Sequence, residues 1–163
     1  MGDAEIMERV RKKKFLMDAF LHTCSHAGGQ GPDSALKNDV TSHFLQAVIF
    51  ELMVKTLYEL DVKAEAPFTH DLTKLFGGLN SDTQNELINR FNEARERQKK
   101  QFDKMGIVDV AFHALEDILS NNEKTIKNFK YDAIGVRSNT SADGTFYHDM
   151  FTYMDNRVGE MSA

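Results

Sequence analysis

Apolar residues recur every three to four positions along most of this chain, the spacing of amphipathic helices. Residues 4–23 (AEIMERVRKKKFLMDAFLHT) place Ile6, Val10, Leu16 and Phe20 on one face, and AGGQGPD then breaks the pattern. This predicts a first helix lying outside the main bundle. The strongest signal runs over residues 34–61, where Leu36, Val40, Phe44, Ala47, Val48, Leu52, Leu57 and Leu60 keep the helical period; such a length predicts the central helix. Lys63 to Phe68 (KAEAPF) reads as a loop closed by Pro67. THDLTKLFGGLN, residues 69–80, predicts a short helix with Thr69 as N-cap, Asp71 in the first turn and Leu72, Leu75, Phe76 and Leu79 facing inward. Gly77, Gly78 and Asn80 tolerate left-handed backbone and predict its end.

The fourth element, residues 81–105, starts at Ser81 or Asp82 as cap and lines up Leu87, Phe91, Ala94, Gln98, Phe102 and Met105. Gly106 ends it. IVDVAFHALEDILS predicts a further helix that stops before Asn121 and Asn122, EKTIKNFKYDAIGVRS another, Ser138 to Gly144 a loop, and FYHDMFTYMDNRV a last short helix. No stretch alternates with a period of two between hairpin turns, so a sheet is not expected. The fold class is therefore all-α: an antiparallel bundle of four to five core helices with an additional N-terminal helix. One domain over residues 1–163 is expected, with its core over about 34–137, the N-terminal helix over 4–23 and a C-terminal extension over 138–163.

Composition narrows the setting. The single cysteine, Cys24, has no partner for an internal disulfide, and no run of roughly 20 apolar residues is available to cross a bilayer. A cytoplasmic protein without a membrane association is expected.

Metal and nucleotide chemistry find little support. A di-iron bundle uses Glu-x-x-His pairs; the residues three before the six histidines are Ala19, Thr23, Val40, Pro67, Val110 and Thr145. His22 and His26 have the i,i+4 spacing of two metal ligands, but Gly28 and Gly29 follow at once and place the second in a fraying end. His113 and Glu116 either share a hydrogen bond or sit apart on a helix surface. AGGQGPDSA lacks both the lysine of a P-loop and a preceding strand. Neither a metal site nor a cofactor is expected.

The long helix HFLQAVIFELMVKTLYELD, the proline-containing loop and THDLTKLFGGL together resemble the core of the HEPN superfamily, helical bundles associated with RNA cleavage, nucleotide handling, toxin–antitoxin pairs and phage defence. The resemblance covers residues 34–130 and implies Glu51, Lys55, His70 and Asp71 as a family signature. In the family such a histidine helps to dock its helix. FKYDAIGVR, residues 129–137, is similar to the aromatic and arginine-bearing end of the family's last core helix. Ribonuclease members carry an arginine followed by a histidine after four to six residues, a pair that holds the phosphate and moves the 2'-hydroxyl proton. Here the closest pair is Arg137 and His148, with ten residues between them.

Charge is spread unevenly within a net of -5. Residues 9–14 (RVRKKK) hold five basic side chains, residues 90–104 six basic against three acidic, and residues 138–163 one against four. Arg90, Arg97 and Lys104 recur every seven residues and form a candidate stripe for a phosphate backbone; the competing reading is a solvated face laced by i,i+4 ion pairs. The functional expectation is a noncatalytic HEPN-like protein acting through contacts with a protein, RNA or nucleotide, as a homodimer, in a defence or toxin–antitoxin setting. The alternative is a metal-independent endoribonuclease in which Arg137 clamps phosphate and His148 acts as acid/base. A third class is a small-molecule pocket lined by Phe44, Phe50, Phe76 and Phe112 with methionines.

Overall fold

The computed structural model describes the backbone of residues 1–26, 34–107, 112–129 and 144–162, and the side chains of 1–23, 44–107, 112–127 and 146–161. These residues form six helices: α1 (Asp3–His26), α2 (Ser34–Val62), α3 (Leu72–Gly77), α4 (Ser81–Lys104), α5 (Leu115–Phe129) and α6 (Gly144–Ser162). No strand occurs among the described residues. The protein is an all-α helical bundle.

The second helix is central, as its length predicts. It contacts α1, α3, α5 and α6, and from Ala47 onward it buries residues on all sides, among them Ile49, Phe50, Met53, Val54, Leu57 and Leu60. A helix apolar all round belongs in a core rather than at a surface. Contacts between distant residues fix the directions of its neighbours. Arg9 and Lys13 of α1 reach Glu59, and the N-terminal ammonium reaches the Lys63 carbonyl, so α1 runs antiparallel to α2. Phe50 meets Tyr147 while Asp61 meets Arg157, so α6 runs parallel to α2. Arg97 meets Asp149 while Thr83 meets Arg157, which sets α4 antiparallel to α6.

Local chemistry places the helix ends one or two residues away from expectation. The N-cap of α3 is Asp71, whose carboxylate accepts from the Lys74 amide at 2.9 Å, whereas the Thr69 hydroxyl accepts from the Asp71 amide itself. The two side chains thus cap in series. Asn80, rather than Ser81 or Asp82, caps α4 by accepting from the Thr83 amide at 2.8 Å. Gly78 is not left-handed, with φ -89°. A Cβ there would stand 2.6 Å from the Tyr58 ring, so glycine permits close approach of α3 to α2. Gly106, at φ +67°, is left-handed and ends α4.

Three expectations change. The first helix is anchored rather than outlying: Ile6, Val10 and Met17 are fully buried, while Leu16 faces outward because the stripe falls one position later. Asn121 and Asn122 do not stop a helix but lie inside α5, where Asn122 is fully buried and donates to the Ala47 carbonyl of α2 at 3.1 Å. The last helix is 19 residues long and inserts Phe146, Met150 and Met154 into the core, so the C-terminal stretch completes the bundle. Residues 27–33, 108–111 and 130–143, including the expected loop at 138–143 and the end of the FKYDAIGVR resemblance, lie outside the described residues.

Candidate functional site

Three acidic residues in the C-terminal half of α2, Glu51, Glu59 and Asp61, each hold different neighbours. Glu51 has a side chain 9% exposed; its Oε1 accepts from Lys55 Nζ at 2.7 Å, and its Oε2 lies 2.8 Å from His70 Nδ1. A carboxylate accepting from the ring N–H fixes the imidazole tautomer and its orientation. His70 precedes α3, and Asp71 caps that helix, so Glu51, Lys55, His70 and Asp71 stand at one joint between α2 and α3. Chemically, the Glu51–His70 pair is the orienting half of an acid/base arrangement. Its geometry serves docking of α3 directly.

Two turns further on, Glu59 and Asp61 are both completely enclosed, and two positions apart on a helix they point to nearly opposite sides. Glu59 takes Arg9 Nε at 3.2 Å and Lys13 Nζ at 2.6 Å from α1, and the Ala66 amide at 3.1 Å from the following loop. Asp61 takes Arg157 Nη2 of α6 at 3.0 Å, the Thr83 hydroxyl of α4 at 3.1 Å and the Asn80 amide at 3.0 Å. Arg157 also donates to the hydroxyls of Thr83 and Tyr153. Removing charged groups from water is costly, and several charge-assisted hydrogen bonds to one carboxylate offset that cost. Neither acid belongs to a sequence motif. Their legible signal is an acid in a helix otherwise too apolar to have a wet face.

The basic stripe of α4 is divided by its neighbours. Arg90 pairs with Glu86 at 2.6 Å, stacks over the Tyr153 ring at 5.1 Å and donates to the Asp149 carbonyl. Arg97 pairs with the Asp149 carboxylate of α6. Two of the three positions therefore fasten α4 to α6, Arg97 from an exposed position, and Lys104 near the helix end is exposed as well. Arg95, which the stripe does not include, is buried: it bonds Gln98 and the His113 carbonyl and lies 4.9 Å over the Phe91 ring.

His148 sits in the first turns of α6 with its side chain 81% exposed and its Nδ1 3.9 Å from Asp149. Arg137 lies outside the described residues. Tyr147, beside His148, packs edge-on against Phe50, and burial pushes its phenol well above the ordinary range, partly countered by Arg95. Of the aromatic residues expected to line one pocket, Phe50 is core, Phe76 packs against the core, and Phe112 stacks on Phe102. An apolar cavity opens instead between α1, α2 and α6. Among the described residues no group of three or more His, Cys, Asp or Glu is placed to hold a metal ion, and no helix is long and apolar enough to cross a membrane. Comparison with known proteins finds no matching family model, no matching curated protein and no matching solved structure.

Proposed function

We propose that this chain is a noncatalytic HEPN-like bundle that works by association, with a second copy of itself as its first partner. The observation that carries the reading is the use of its charged side chains. Glu51, Lys55 and His70 form one joint, and Arg90 and Arg97 form another, so these five candidates for phosphate or proton chemistry already serve the fold. The exposed surface of α1 carries a different signal. Phe15 is 73% exposed beside Leu16, flanked by Arg11, Lys12 and Glu8. An apolar patch rimmed by charges of both signs suits a self-complementary contact between two identical helices.

Light scattering after size exclusion tests this. A dimer in the wild type and a monomer in Phe15→Glu, with equal helicity, is the expected result; a monomer in both, at high micromolar concentration, rejects self-association. The second reading, an endoribonuclease of the same superfamily, is favoured by one observation, the accessible imidazole of His148. Metal-free incubation with labelled RNA separates the two.

A further inference from the structure

A cavity of about 250 Å³ lies between the end of α1, the middle of α2 and the start of α6. Its lining is Leu21, Gln46, Ile49, Met53, Tyr147, His148 and Phe151. Ile49 and Met53 are buried and form the floor, whereas Gln46, His148 and Leu21 are exposed and stand at the rim. The wall is thus almost wholly carbon, with an amide and an imidazole at the mouth.

Size selects the occupant. The volume equals a sphere about 8 Å across, narrower than the ~10 Å of an α-helix with side chains, so a partner helix does not fit inside. It exceeds the ~150 Å³ of an apolar cavity that takes benzene. Preformed concave sites with apolar walls and a few convergent polar groups are how proteins hold small ligands. We infer that this cavity binds a small amphiphile, a single aromatic ring or short acyl body carrying one hydrogen-bonding head group, with the body on Ile49 and Met53 and the head at Gln46 and His148. The site is independent of the association proposed above, since Phe15 and Leu16 are not among its lining residues.

The test uses the full chain with p-cresol as probe and toluene as its headless counterpart, followed by NMR of isoleucine and methionine methyl groups. Saturable shifts of the Ile49 and Met53 methyls are expected, with those of Met150 and Met154 as markers of an intact core. His148→Ala combined with Gln46→Ala lowers p-cresol affinity by about three- to tenfold and leaves toluene unchanged, the loss expected for hydrogen bonds at a partly wet rim. Leu21→Trp, at a half-open position that accepts a larger side chain, weakens both probes by about tenfold or more; Gln46→Phe serves the same purpose should the first variant disturb the core markers. Absence of saturable shifts at Ile49 and Met53, or binding undiminished by the filling variants with the core markers in place, overturns the assignment.

Discussion

The two parts of the central helix are built on opposite principles. From Glu51 to Asp61, enclosed acids pull α1, α3, α4 and α6 inward through ion pairs and hydrogen bonds. From Gln46 to Met53, on the side facing α1 and α6, the same helix presents carbon to an open cavity. The contrast teaches where chemistry is free to act. The enclosed acids of α2 serve the geometry of the bundle, while the cavity beside α1 and α6 is walled by apolar side chains.

The largest effect belongs to the polar part. Asp61→Ala strands Arg157, the Thr83 hydroxyl and the Asn80 amide, and costs about 3 kcal/mol or more, since removing one partner of an enclosed pair leaves the others unsatisfied. Urea unfolding reads this as a lower midpoint, little altered by added salt because enclosed pairs are weakly screened. A loss below 1 kcal/mol breaks the comparison by showing that the acid is dispensable.

Gly78→Ala is next, at about 1–3 kcal/mol, because the new Cβ overlaps the Tyr58 ring. Thermal unfolding of this variant beside Gly77→Ala, where a Cβ meets nothing within 4 Å, isolates the overlap from any gain in helix propensity.

Tyr147 supplies a pH-dependent test at the apolar part. Its phenol is raised above the ordinary value of 10.0 by burial. The unfolded chain therefore releases this proton first as pH climbs past 10, and stability falls by up to about 1.4 kcal/mol per pH unit until the folded group also titrates. Below pH 10 the group contributes no pH dependence. Tyr147→Phe flattens this part of the alkaline stability curve; an unchanged curve refutes the burial argument.

Smaller effects follow at the half-open joints. His70→Ala costs about 1 kcal/mol, the worth of one charge-assisted hydrogen bond at a ring 42% exposed, and leaves Lys55 to hold Glu51. Arg97→Ala costs less than about 1 kcal/mol because its pairs with Asp149 and Glu93 are wet. Amide exchange in α3 distinguishes them, since only the first substitution loosens that helix.

The fold was legible because apolar period carries it. Residues 34–61 announce a helix by repetition, and α4 by its stripe from Leu87 to Ala94. The caps were less so: Thr69, Asp71, Asn80 and Ser81 all suit an N-cap, and only the backbone decides which accepts from which amide. Asn122 read as a stop because its side chain competes with helix in isolation, yet inside the bundle it finds the Ala47 carbonyl. The joint at Glu51, Lys55 and His70 links residues up to 19 positions apart, beyond the reach of a local pattern. The ties of Asp61 to Arg157, 96 positions apart, and the cavity assembled from three segments were not, because no local pattern records which distant residues meet.

The central claim, that the charged side chains hold the bundle rather than perform chemistry, is tested most directly by incubating the purified protein with labelled mixed-sequence RNA without metal, beside Arg137→Ala and His148→Ala. The account predicts intact RNA in all three. Cleavage by the wild type that is lost in both variants contradicts it and establishes a ribonuclease built on an unusual pair.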